Sequence, residues 1–245
     1  MCLETAPGLK SRAEFLNAEA SKTMPHTQET PKVTRIMLVD DHPIVREGLA
    51  ESINREKGLH VCAQAEDHLE ALKAIETAKP DLVVIDLMLK NSSGLELIKD
   101  VHARWPRVLI LVVSMHDETL YAERVLRAGA QGYITKQEAP RDILLAIRRI
   151  LAGGIYLNER TSSAVLARLG SKAPSPSGGI SDVLADRELQ VFELTGMGLS
   201  TREIAAQLHI DMKTVDTYRA RIREKLNLKT SSELLQLAIR WNKSR

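Results

Sequence analysis

Five apolar runs restrict this chain more than any other feature: VTRIMLV at 33–39, LHVCAQA at 59–65, DLVVID at 81–86, VLILVV at 108–113 and GYIT at 132–135. Several are apolar at consecutive positions, so both faces of the strand need cover. Between them lie stretches of helical spacing that begin near Pro43, Asp67, Ser93, Asp117 and Ala139, with Leu95, Ile98 and Val101 marking the apolar side of the third. Strands buried on both faces, each followed by a helix, predict an α/β domain: an open, doubly wound, five-stranded parallel sheet.

The flanking segments read differently. Residues 1–32 are polar and lack periodicity, and the expectation is a disordered tail, with Met24 as an alternative start. The α/β pattern fills 33–157, and 158–180 reads as a helix and a flexible linker, since GSKAPSPSGG at 170–179 mixes Pro, Gly and Ser without an apolar period. No strand signal recurs after it. Residues 181–245 predict a small all-α domain of four short helices.

Composition narrows the class. Apolar residues make up 44% of the chain and the net charge is +2, as expected of a soluble globular protein. No stretch approaches the roughly 20 apolar residues that span a bilayer, and the N-terminus lacks the apolar core of a signal peptide. Cys2 and Cys62 are too few for a disulfide framework or a zinc cluster. The expectation is a cytoplasmic protein without a membrane partner.

In an open parallel sheet, binding residues gather at the carboxyl ends of the strands. Those ends carry Asp40 and Asp41, then Asp86, then Ser114, then Tyr133 with Lys136 just beyond. One Asp at a strand end is ordinarily a cap or a turn residue. Compatible groups at successive ends point to a site. Clustered carboxylates repel one another and need a cation; a hard divalent ion such as Mg²⁺ suits carboxylate and carbonyl oxygens. One carboxylate is then available as a nucleophile toward a phosphate donor, with Ser114 and Lys136 placed to bind phosphoryl oxygens. A dinucleotide site would need a Gly-rich turn where DDHPIV stands, and no phosphate-binding GxxxxGK[ST] loop occurs. A phosphohydrolase using an Asp nucleophile would want a second Asp where Met88 stands. His42 and His116 flank the site and read as loop or helix-start residues.

This arrangement resembles the flavodoxin-like receiver domain of two-component response regulators. The resemblance implies that Asp86 accepts phosphoryl from a sensor histidine kinase, and that Asp40, Asp41, Asp86 and the main-chain carbonyl of Met88 hold Mg²⁺. It also implies that Ser114, Tyr133 and Lys136 are the phosphoryl-binding and switch residues. Receivers usually carry Pro four residues after the acceptor. Here Lys90 adds a positive charge, and altered phosphorylation rates are expected.

The second site lies in the last 65 residues. STRE at 200–203 is a capping box, Asp211 is placed to cap the helix from about Met212 to Leu226, and the two helices predict a helix-turn-helix. From Lys213 onward there are nine Lys/Arg against three Asp/Glu, whereas 181–212 holds two Arg against six Asp/Glu. That asymmetry puts positive charge on the second helix, as duplex binding needs. An aromatic content of 3% argues against stacking on single strands. Val215, Tyr218, Ile222 and Leu226 share one side and should pack inward. Lys213, Asp216, Thr217, Ala220 and Arg221 then face outward as base-edge candidates, and Thr201, Thr214, Arg219 and Arg223 are placed for phosphates.

The segment is similar to the LuxR-type helix-turn-helix through RELQVFEL, REIA and KTVDTYRARIREKL. With the receiver it resembles the NarL/FixJ class: a phosphorylation-dependent, DNA-binding transcription regulator and not an enzyme. The usual Thr before the first helix is Ala185, which removes a cap worth ~1 kcal/mol. The resemblance further implies a homodimer joined through Leu234, Leu237, Ala238 and Trp241, and a receiver that masks the recognition helix before phosphorylation.

Overall fold

The computed structural model describes residues 33–90, 92–116, 118–159, 161–163 and 180–243. The expected tail at 1–32 and the GSKAPSPSGG linker lie outside the described residues. Strands β1 (Thr34–Val39), β2 (Leu59–Ala65), β3 (Leu82–Ile85), β4 (Leu109–Ser114) and β5 (Gly132–Thr135) form one parallel sheet in the order β2-β1-β3-β4-β5. Helices α1 (Pro43–Asn54), α2 (His68–Ala78), α3 (Gly94–Arg104), α4 (Glu118–Ala128) and α5 (Ala139–Leu151) fill the crossovers.

Alternation along the strands divides the interior into two layers. Ile36, Leu38, Leu82, Val84, Leu111 and Val113 pack with residues of α1 and α5. Met37, Val39, Val83, Ile85, Ile110 and Val112 pack with residues of α2, α3 and α4 on the other face. Each strand feeds both layers because successive side chains point to opposite faces. The strand order reverses between β1 and β3, and the crevice at such a reversal opens at the carboxyl ends. Asp40 and Asp86 stand on its two sides.

One local feature was not expected. Directly after Asp86, Met88–Leu89 pairs antiparallel with Ser92–Ser93, and this short ribbon delivers the chain into α3. The entry is close: a Cβ on Gly94 would lie 2.0 Å from the carbonyl oxygen of Asp86.

The helical half contains one turn, α6 (Ile180–Val183), then α7 (Asp186–Gly196), α8 (Thr201–Gln207), α9 (Met212–Lys225) and α10 (Ser231–Lys243). The helix ends follow the sequence. The Ser200 hydroxyl accepts from Glu203 N at 3.3 Å, and the Glu203 carboxylate accepts from Ser200 N at 2.8 Å. Asp211 accepts from Thr214 N at 2.8 Å. At Ala185 half of a capping box survives, because Glu188 still accepts the Ala185 N–H at 2.8 Å.

Helix α7 is the centre, flanked by α9 and α10. Here one expectation is corrected. Leu234 and Ala238 are fully buried in the half's own core, Leu237 packs against that core, and Trp241 meets Phe192 edge-on at 5.4 Å. A domain this small has few apolar stripes, and burial of this one is what closes it. Leu234 and Ala238, assigned to a dimer contact, hold α10 on α7 instead, whereas Leu237 and Trp241 keep part of their surface exposed.

Candidate functional site

The strand ends converge as expected. Backbone pairing fixes them: Asp86 N donates to Val39 O at 2.9 Å, and Lys136 N donates to Ser114 O at 2.8 Å. Asp40, Asp86 and Ser114 are buried, and the side chains of Asp41 and Lys136 are 6% and 7% exposed. The Lys136 ammonium donates to Asp86 Oδ2 at 2.7 Å and lies 2.8 Å from Asp40 Oδ2. Asp86 Oδ1 accepts from Met88 N at 3.2 Å. Two of the three clustered carboxylates therefore share one ammonium, and Asp41 has no part in it.

The electrostatics follow from that shortage. Burial, and after it the charge of Asp40, raise the Asp86 carboxyl above the usual carboxylate range despite the attraction of Lys136. The two carboxylates in turn raise the Lys136 ammonium although its burial pulls the other way. Ionising Asp86 is thus harder in the folded chain than in the unfolded one. In EDTA at pH 7, Asp86→Asn should melt higher, by about 1 kcal/mol of stability. A lower melting temperature would show that the pairing with Lys136 outweighs burial.

The donor set fits a hard cation. Ligand atoms of Asp40, Asp41, His42 and Asp86 lie within 4.8 Å of one another. Asp41 Oδ1 is buried without a hydrogen-bond partner; His42 Nδ1 stands 2.7 Å away, close enough to pair but poorly aligned. An anionic oxygen without a hydrogen-bond partner, among clustered carboxylates, is a donor suited to a hard cation. Lys90 does not join the site: its ammonium turns to Glu66 at 3.2 Å on the rim. Tyr133 is wholly buried and donates to His116 O at 2.9 Å.

The site opens into a cleft of about 1000 Å³ whose far wall is the helical half, with Glu193, Met197, His209 and Asn242 among its lining. Contacts beside the cleft join the halves. His116 Nδ1 lies 3.1 Å from Glu193 Oε2, and the Tyr121 hydroxyl donates to the same oxygen at 3.3 Å. Arg124 pairs with Asp186 and donates to the Leu184 carbonyl at 2.8 Å; Lys99 reaches Asp186 at 3.3 Å. Arg187 donates to the Ser92 carbonyl. The sequence offered no signal for this set, because its members are ordinary polar residues until the two halves meet. His116, read as a loop residue, is one of its buried members.

On α9, Val215 and Ile222 are buried and Tyr218 and Leu226 half-buried, as the spacing predicted. Lys213, Asp216, Thr217, Ala220 and Arg221 are exposed together on the outer side. Among the described residues, none of the α/β half masks them; the described contacts between the halves run through α6, α7 and the turn after α8. Arg219 donates to Thr201 Oγ1 at 2.7 Å, so two of the phosphate candidates are tied to each other. Thr214 Oγ1 donates to Asp211 at 2.8 Å, and Arg223 is half-buried. No helix among the described residues is long and apolar enough to cross a membrane.

Comparison with known proteins agrees with both halves. Residues 36–148 match the response regulator receiver domain, and 182–238 match the bacterial regulatory proteins of the luxR family. The oxygen regulatory protein NreC of Staphylococcus aureus (strain bovine RF122 / ET3-1) is 33% identical over 210 residues, covering 84% of this chain and 97% of its own. A LuxR-family two-component response regulator from Aurantimonas sp. SI85-9A1 is 37% identical, with a TM-score of 0.53, over 57% of this chain and 99% of that one. The RcsB response regulator of Salmonella typhimurium is 25% identical, with a TM-score of 0.51, over 84% of this chain and 98% of that one. The chain belongs to the two-component response regulators of the NarL/FixJ class, regulators and not enzymes, in which a receiver domain is joined to a LuxR-type DNA-binding domain.

Proposed function

We propose that Asp86 is the phosphoryl acceptor through which a sensor histidine kinase controls duplex binding by the helix at 212–225. We take the receiver as 33–157 and the DNA-binding domain as 181–245. The observation that carries this reading is the shared Lys136 ammonium, 2.8 Å from Asp40 and 2.7 Å from Asp86, with Ser114 buried at the next strand end. Mg²⁺, when held by Asp40, Asp41, Asp86 and the Met88 carbonyl, supplies charge neutralisation for the carboxylates and the incoming phosphate. A carboxylate oxygen of Asp86 attacks phosphorus as the donor's group leaves. Lys136 then pairs with the new phosphoryl charge, and Ser114 donates its hydroxyl to a phosphoryl oxygen. Tyr133 beside them reports the change as a switch residue.

Acetyl phosphate with Mg²⁺ should label the wild-type chain and leave Asp86→Asn unlabelled. Equal labelling of the two would reject Asp86 as the acceptor.

On the DNA side, Lys213, Thr217 and Arg221 read base edges with Ala220 against a thymine methyl, while Thr201, Thr214, Arg219 and Arg223 position the backbone. Arg221→Ala should weaken binding to a selected duplex by ~1–3 kcal/mol and relax preference at one base pair. A uniform loss across sequences, measured by competition binding, would move Arg221 to the phosphate contacts. A homodimer on two half-sites is the assembly we propose, and its contact must come from residues that α10 leaves outside the domain core. The regulator acts on DNA in the cytoplasm.

A further inference from the structure

Asp41 faces two imidazoles that belong to different domains. His42 Nδ1 lies 2.7 Å from Oδ1, and His209 Nε2, from the turn between α8 and α9, lies 3.0 Å from Oδ2. The carboxylate is buried, and His42, with 61% of its side chain exposed, is free to swing into solvent. His209 is different, because its backbone is part of the DNA-binding domain. That backbone is left-handed, with φ 52°, directly after Leu208, the C-cap of α8. Glycine or asparagine suits this position best, so the chain tolerates strain at the residue whose side chain crosses to the receiver.

We propose that the DNA-binding domain and a divalent cation compete for the Asp41 carboxylate: His209 of the docked domain faces Oδ2 of the group that would help hold the cation. This rests on the reading of Asp40, Asp41 and Asp86 as the metal ligands. A cation bound at Asp41, whose Oδ1 has no hydrogen-bond partner, draws on the same negative charge that His209 faces through Oδ2, and so weakens a contact across the domain interface. Coupling of this kind is reciprocal. Whatever the docked domain takes from cation affinity, the cation takes from docking. Cation binding alone, before any phosphoryl transfer, therefore loosens the closed arrangement and widens access to Asp86.

The test uses the full-length chain without a phosphoryl donor. His209→Gly removes the imidazole and suits the backbone, so the helix-turn-helix keeps its fold. Mg²⁺ titrated calorimetrically should bind the variant about three- to tenfold more tightly than wild type, the range of one partly exposed ion pair. In wild type, hydrogen exchange over 186–196 should accelerate as Mg²⁺ is added; in the variant it should be fast at the outset and respond less. Equal Mg²⁺ affinity in the two proteins overturns the inference while the metal site stands. Absence of Mg²⁺ binding in both, indistinguishable from Asp41→Asn, overturns the metal site itself. Should His209→Gly disturb the far-UV spectrum, His209→Asn, also suited to left-handed backbone and shorter than His, decides by the same measurements.

Discussion

Glu193→Ala will part the two domains. The Glu193 carboxylate is 4% exposed and stands against His116 and the Tyr121 hydroxyl, with the His116 and Tyr121 rings 4.8 Å apart behind it. Its burial, and after it the Glu193 charge, raise the Tyr121 hydroxyl well above its ordinary range, so Tyr121 is a proton donor there at any physiological pH. Truncating the carboxylate of a buried hydrogen-bonded cluster leaves its partners desolvated and unsatisfied, at a cost of about 2–5 kcal/mol. In the separated state those groups meet water, so the whole cost falls on docking. A shift of ~3 kcal/mol changes the docked-to-open ratio on the order of a hundredfold. Small-angle scattering should show a larger radius of gyration, and calorimetry should resolve two transitions where wild type shows one. Glu193→Gln keeps an acceptor for Tyr121 and should do markedly less. An unchanged radius for Glu193→Ala would mean that Arg124 and its partners suffice to hold the domains.

Gly94→Ala should be the most destabilising single methyl in the receiver. The added carbon would stand 2.0 Å from the Asp86 carbonyl oxygen and 2.7 Å from Leu87 Cα, and both neighbours are backbone. Backbone there cannot give way alone, because Asp86 N is bonded to Val39 O and Gly94 N to Leu87 O at 3.0 Å. Relief requires α3 to move off the sheet or β3 to shift at its end. The cost is about 3 kcal/mol, at the upper end of overpacking, measured as a urea midpoint shift at constant m-value. The same shift displaces Asp86, so acyl-phosphate labelling should fall along with stability. Loss of labelling at unchanged stability would show that the site moves more easily than the core.

The sheet was legible because its strands are apolar on both faces and its helices are not; two different periods separate elements cleanly. Asp40, Asp41, Asp86, Ser114 and Lys136 were legible for a related reason. A polar residue that ends an apolar strand has its place fixed by the strand, and parallel strands put all such ends on one edge. The ribbon at 88–93 was not legible, since two-residue strands carry no period. Lys90 was read as a charge for the phosphoryl site, but its long stem lets it reach Glu66 instead. Leu234, Leu237, Ala238 and Trp241 form a genuine apolar stripe, yet a stripe does not say whether its partner is the same chain or another copy. The contacts of His116, Glu193, Arg124 and His209 depend on how two domains meet, and no local pattern encodes that.

The Arg219–Thr201 bond has a consequence for how the reader meets a duplex. It spans from the recognition helix to the first turn of α8, whose start and whose neighbour's start are already fixed by Ser200 and Asp211. Both helices thus arrive as one preformed body, and little chain entropy remains to be lost on contact. Such a surface docks like a die on a blank, so its heat-capacity signature is that of a rigid association and not of a segment folding as it binds.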